Sequence, residues 1–449
     1  MTRRQTRRTQ PNDGGLGPGA RRWAPLIAAL LAVVAVSACS TGGQASVETV
    51  VQTVVSGAPD SSGGTASATQ GSSAGSDQSA PPATTTGTPS PTPEPEPVAE
   101  VSAEPAFGTK GLSPAAPIEV KVSDGTIEDL TMTNPEGKVV KGEISEGGST
   151  WKLGEVLGYD KSYTVTGSAV GSDGKSVAIK GSYSTVKPTT SVRTTISPGD
   201  GKVVGVAAPV IVTFGVEPTD RAAIEKLVSI TTEPEVEGAW AWIQHDGGDW
   251  GLDYRPKEYW PSGTKVHVEA KVYGFEFAKG AYGVEDLSSD FTIGRNQVVV
   301  ADVNSHELVV EQDGIVVATY PASYGRGTDA DTTTRSGIHV VNEKFDKKLM
   351  SNPKYGYVNV LERFAVRISN NGEFIHANPD TVGAQGSTNV SHGCVNLSLA
   401  DAEAYYESAI YGDPVEVTGT AIQLEASDGD VFDWAVPWDV WVTLSGKNS

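Results

Sequence analysis

Phe374-Ile375-His376, followed by Ser391-His392-Gly393-Cys394-Val395-Asn396, is the stretch on which the reading of this chain turns. An apolar run ends on one histidine, and sixteen residues later a second histidine, a glycine and a cysteine lead into another apolar run. The chain holds only two cysteines, and the other, Cys39, lies at the end of an export-like leader. Cys394 is therefore an unpaired thiol in a chain with an export signal, a setting in which thiols are normally bridged or absent. A cysteine nucleophile must reach the thiolate state, and a nearby imidazole takes its proton. His376, on a separate strand, is positioned to approach the sulfur across a sheet, whereas His392 is expected to shape the loop. Gly393 lets a substrate approach the backbone closely, and the amides of Gly393 and Cys394 are candidates to hold an oxyanion. The combination reads as an acyl-transfer site.

Outward from that stretch the pattern is β. Val298 to Val300, Leu308 to Val310 and Ile315 to Tyr320 read as strands, with Asp313-Gly314 as a hairpin turn. Further strands run through Val358 and Val366. Ser398 with Asp401 three residues on marks a helix start, and Leu399, Ala402, Tyr405 and Ala409 form its expected apolar face. The catalytic segment is placed at 296–419. Upstream, alternating runs such as Ile118, Val120 and Val122, and the echo of Ala115-Ala116-Pro117-Ile118 in Ala207-Ala208-Pro209-Val210, indicate two immunoglobulin-like β-sandwiches at 106–190 and 191–295. A short helix is expected near Asp220 to Val228. Trp240, Trp242, Trp250 and Trp260 are read as sandwich core or interdomain packing ahead of a glycan surface. The predicted fold class is mostly β: two sandwiches, then a β-rich catalytic domain with a short helix after the cysteine motif.

The ends of the chain differ in kind. Arg3, Arg4, Arg7, Arg8, Arg21 and Arg22 precede an apolar run from Ala24 to Ala38, a positive region followed by a short hydrophobic one. Val36-Ser37-Ala38-Cys39 resembles the lipobox of bacterial lipoproteins, which implies lipidation of Cys39, a membrane tether and an extracytoplasmic protein. Residues 40–105 are rich in Ser, Thr, Gly, Ala and Pro and are read as a disordered spacer spanning ~45 Å on average. Residues 420–449 carry Phe432, Trp434, Trp438 and Trp441, too apolar to hang free, and are expected to dock on the catalytic domain. A formal charge of -21 argues against nucleic acid as a partner, since neutralising phosphates takes clustered Lys and Arg.

The pairing of His376 with Ser-His-Gly-Cys-Val-Asn at 391–396 resembles the signature of L,D-transpeptidases with the YkuD catalytic domain. The leader, paired sandwiches and Trp-containing tail look like multidomain actinobacterial members. The resemblance implies Cys394 as nucleophile, His376 as base, and the carbonyl of Ala377, where relatives often carry Ser, as the group that orients the imidazole. It implies that Ser391, His392 and Asn396 shape the substrate site and that Met350 belongs to a lid. Tyr355 or Tyr357 would assist the oxyanion, a choice the sequence leaves open. The expected substrates are peptidoglycan stem peptides, a tetrapeptide donor and a diaminopimelate amine acceptor, joined 3→3 with release of D-Ala. No cofactor or metal is expected. A zinc site from His376, His392 and Cys394, hydrolysis of the same acyl-enzyme, and a non-enzymatic wall-binding role are the rival readings.

Overall fold

The computed structural model describes residues 96–425 and 431–448. The leader, Cys39 and most of the spacer lie outside the described residues. The regular structure of the described chain is mostly strand, and its apolar side chains gather into three principal cores, one per predicted domain.

The first sandwich consists of two four-stranded sheets. It begins earlier than the composition indicated: Glu100–Glu104, assigned above to the spacer, is a strand paired antiparallel with Glu119–Ser123. Its alternating Val101 and Ala103 pack against the core, and five backbone positions in register supply the rest. A polar sequence can thus be ordered by ladder hydrogen bonds. The second sandwich buries Trp242 and Trp260, with Trp240 and Trp250 half-buried against the same cluster. Its short helix, Arg221–Glu225, is capped by Asp220, whose side chain accepts from the Ala223 amide. The two sandwiches meet through Tyr159, whose hydroxyl donates to Gly283 O at 2.7 Å, and Tyr273, which donates to Leu157 O at 2.8 Å.

The catalytic domain has two sheets. One orders five strands, with the parallel pair Gln297–Asp302 and Pro414–Thr418 at its middle. The other runs Glu343–Asn352, Tyr357–Arg367, Phe374–Ala377 and Val395–Leu397, antiparallel until the last pair, which is parallel. Asp313 and Gly314 both take positive φ, as a two-residue hairpin turn requires. The helix Leu399–Ser408 is capped by Ser398 and buries Ala402 and Tyr405, and Ala409 follows it buried. Leu399 does not join that face: it is 42% exposed, because the first helical turn projects past the edge of the core.

The tail departs from expectation. Residues 420–424 do follow the catalytic domain, with Leu424 N donating to Ser336 O at 2.8 Å. The Trp-bearing segment touches the catalytic strand Gly337–Val340 at Asp433–Ala435, but its indoles pack on the second sandwich. Trp441 is fully buried with Ala241 and Ile243 and donates its indole N–H to Ala239 O at 2.9 Å. The reason is Arg255, which is 3% exposed on that sheet. Its guanidinium lies 4.7, 5.1 and 4.8 Å from the rings of Trp434, Trp438 and Trp441 and donates to Val436 O. A cation so desolvated needs π faces and a carbonyl in place of water, and the tail brings both. The same sandwich is joined to the catalytic domain by Gly205 N to Tyr411 O and Ala207 N to Gly412 O, at 2.7 and 2.8 Å. A Cβ on Gly205 would stand 2.3 Å from the Asp413 amide, so this approach requires glycine.

Candidate active site

The parallel pairing of Phe374–Ala377 with Val395–Leu397 sets His376 opposite Asn396, so that Cys394, one residue before the second strand, is carried to the imidazole. These strands form a buried floor: Ile375, Val395 and Leu397 have no exposure, and His376 has 4%. Cys394 is half-buried and faces a cleft of about 570 Å³ also lined by Met350, Tyr357, Glu362, Ser391, His392, Gly393 and Asn396. Its Sγ lies 3.6 Å from Gly372 O.

The hydrogen bonds assign the two histidines different roles. His376 Nδ1 is 3.0 Å from Ala377 O and 3.2 Å from Glu362 Oε2. Both neighbours only accept, so Nδ1 carries the proton and Nε2 is left for the thiol. Burial by itself pulls His376 down, but its hydrogen bonds to Cys394 and Glu362 outweigh that and push it up to about 10. His392 is the reverse case. Its Nε2 accepts from Arg326 at 2.8 Å, and burial together with the Arg326 charge holds it below the usual imidazole range. With its acceptor nitrogen engaged by a cation, His392 has no free base to offer.

The motif loop is clamped from several sides. Ser391 Oγ donates to Cys394 O at 2.5 Å, and Arg326 N donates to Ser391 O at 3.0 Å. Asn396 exchanges backbone bonds with Ser323 at 2.8 and 3.0 Å. Thr334 Oγ1 donates to Gly393 O at 2.7 Å while accepting from Gly325 N at 2.9 Å. Gly393 has φ 128, a backbone that side chains other than glycine's rarely adopt, although a Cβ there would meet nothing closer than 3.8 Å. Its amide does not point into the cleft. It donates to Ser391 Oγ at 3.1 Å, which removes it as an oxyanion donor, since a tight turn must satisfy its own N–H.

Tyr355 and Tyr357 also separate. Tyr357 lines the cleft, and burial and the proximity of Cys394 hold its hydroxyl above the ordinary phenol range. Tyr355 stacks on His392, centroids 4.5 Å apart, with Arg326 and Lys354 over its ring. Met350 lies on the same hairpin, half-buried at the rim. Lys354 reaches across to pair with Asp331.

Sequence reading missed Glu362, Arg326, Thr334 and the group below the loop. In that group Glu373, 3% exposed, accepts from Arg335 N and Ser369 Oγ at 3.0 Å each, and fully buried His339 lies 3.6 Å from it. The Nε2 of His339 is 2.9 Å from Arg335 O. Thr332-Thr333-Thr334-Arg335 carried no periodic signal, and Glu362 stands in a strand whose neighbours face water. Among the described residues no three His, Cys, Asp or Glu side chains form a group able to hold a metal ion.

Comparison with known proteins places these features in context. Residues 296–417 match the model of the L,D-transpeptidase catalytic domain, and residues 109–276 match a bacterial Ig domain. The chain is 51% identical over 341 residues to L,D-transpeptidase 5 of Mycobacterium tuberculosis, covering 76% of each protein. It is 36% identical over 356 residues to L,D-transpeptidase 2 of that organism, covering 78% of this chain and 85% of the relative. Among solved structures, an LD transpeptidase in complex with imipenem is 33% identical and aligns over 51% of this chain and 100% of its own, with a TM-score of 0.43.

Proposed function

The chain belongs to the L,D-transpeptidases, and from that premise we propose that Cys394 and His376 transfer an acyl group between peptidoglycan stem peptides through a thioester. The donor is a tetrapeptide stem. Cys394 Sγ attacks the carbonyl at the L-centre of its diaminopimelate while His376 Nε2 takes the thiol proton. The tetrahedral intermediate collapses with D-Ala leaving, and His376 returns the proton to the departing amine. The side-chain amine of a second stem then attacks the thioester and gives its proton to His376, and the C–S bond breaks to release the 3→3 crosslink and the Cys394 sulfur. Dividing one acyl transfer into two easier steps needs no nucleotide outside the cell. The observation that carries this reading is the 3.0 Å contact between His376 Nδ1 and Ala377 O, which leaves the other ring nitrogen for Cys394.

The Cys394 amide and the Tyr357 hydroxyl are the oxyanion donors in this reading, with Gly393 supplying the turn. Ser391 and Asn396 fix the motif loop, His392 with Tyr355 and Arg326 forms one wall, and Met350 stands at the rim. Carbapenems acylate Cys394 in this reading, since a strained acyl group meets the same nucleophile. The decisive experiment is intact mass of the protein, wild type and Cys394→Ala, after incubation with a carbapenem and, separately, with a tetrapeptide stem and an acceptor stem. A wild-type adduct and a crosslinked dimer, both absent in the variant, support transpeptidation. A trimmed stem with no dimer in the presence of acceptor replaces it with hydrolysis.

We further propose that Cys39 is lipidated and tethers the catalytic domain outside the cell membrane, on the strength of the leader and the small residues before that cysteine. Loss of metabolic palmitate label and release from the membrane fraction are expected in Cys39→Ala. Label retained in that variant would end the proposal.

A further inference from the structure

Glu362 lies on the strand Tyr357–Arg367 with a carboxyl oxygen 3.2 Å from His376 Nδ1. The two side chains are 15% and 5% exposed, so this pair is not screened as surface ion pairs are. The nearest cations on its strand are committed elsewhere, Arg363 to Asp346 at 3.1 Å and Arg367 to Glu343 at 2.8 Å. Cys394 meets the imidazole from the motif loop and Glu362 from the hairpin strand, and Lys348, in register with Glu362, lines the same cleft with Asp331, Arg335, Tyr357, Arg367 and Glu373. The backbone carbonyl of Ala377 alone would suffice to orient a neutral ring. A carboxylate on the same nitrogen adds charge, and its benefit goes to the imidazolium.

Building on the Cys394–His376 reading above, we propose that Glu362 is a positioning residue for acyl transfer, its carboxylate holding His376 Nδ1–H and stabilising the imidazolium formed when Nε2 takes the Cys394 proton. No proton passes to Glu362. The thiol proton moves to Nε2, the Nδ1 proton stays between Ala377 O and Glu362, and the Nε2 proton later leaves with the amine. The raised proton affinity of His376 is consistent with this, since the Glu362 hydrogen bond is one of its causes. Each pH unit of that shift corresponds to a factor of about 10 in the protonation equilibrium.

The test follows the titration of His376 by NMR in the full chain labelled at histidine, which holds six histidines and is assigned by His376→Gln. Glu362→Gln keeps an acceptor of the same shape and removes the charge. His376 is expected to lose its proton at least about one pH unit lower than in wild type, and the alkaline limb of the carbapenem acylation profile is expected to move down with it. Slower acylation with an unmoved titration would reduce Glu362 to a packing residue and overturn the proposal, as would no change in either. Should Glu362→Gln not fold, Glu362→Asp, which withdraws the carboxylate by one methylene, reads the same shift at smaller amplitude. A shifted titration without stem transfer by wild type defeats the transpeptidation reading and leaves the Glu362–His376 coupling standing. Stem transfer by wild type with an unmoved titration defeats only the role of Glu362.

Discussion

The two ends of the catalytic sheet are built in opposite ways. At one end, Phe374–Ala377 and Val395–Leu397 are buried on both faces; the first carries the imidazole and the second is entered one residue after the thiol. At the other, the hairpin Glu343–Asn352 and Tyr357–Arg367 leaves Leu349 60%, Val358 62%, Val360 41% and Leu361 53% exposed. Proton transfer between Sγ and Nε2 depends on tenths of an ångström, and only a packed interior fixes atoms so closely. Recognition of a peptide tolerates adjustment and gains from apolar surface not yet covered. The floor thus carries the chemistry and the hairpin the contact, with Glu362 and Tyr357 the points at which the second reaches into the first.

The contrast can be broken or sharpened by substitution. The largest effect is expected for Cys394→Ala, which should abolish covalent adduct formation and crosslinking while leaving the thermal transition in place; surviving adduct would move the nucleophile elsewhere. His376→Ala should follow, with acylation down by ~10² to 10⁴, the ordinary contribution of a positioned general base. A His392→Ala loss equal to it, measured in the same stopped-flow assay, would contradict the engagement of His392 by Arg326. Thr334→Val removes a buried donor to Gly393 O and an acceptor from Gly325 N, and should cost ~1–3 kcal/mol in chemical denaturation together with slower acylation. Unchanged stability would show that the motif loop holds its shape without that clamp. The smallest effect on the fold belongs to the hairpin: Leu349→Ser should leave stability within ~0.5 kcal/mol and appear mainly as a higher KM for stem peptides. A fall in kcat at constant KM would place the hairpin in the chemistry and erase the contrast.

The tail and Arg255 show why sequence legibility varied along the chain. The Trp residues of the tail announced that the segment would be buried, because so much apolar surface is not left in water. Composition contains no information about which surface receives it. That was decided by Arg255 and the face of the second sandwich around Ala241 and Ile243, residues nearly two hundred positions away. Glu100–Glu104 carries the same lesson in the other direction, as a polar stretch becomes a strand when a neighbour offers an unpaired ladder. The misplaced Leu399 reflects the limit of periodicity, which orients a face but not the depth to which a core extends.

For the active site, the sequence by itself determined the elements that chemistry constrains locally. An unpaired thiol, a glycine whose φ few residues can adopt, and histidines at a set spacing are properties of short segments, as are alternation and the Asp-Gly turn. The tertiary structure alone decided the distant partners: Glu362 on Nδ1 of His376, Arg326 on His392 and Thr334 on Gly393. Each of these is a contact between a polar group and one brought from another strand or loop, and hydrogen bonds over a few ångströms depend on how strands pair in three dimensions. Periodicity along one strand says which way a side chain points, and only the sheet says what it meets there.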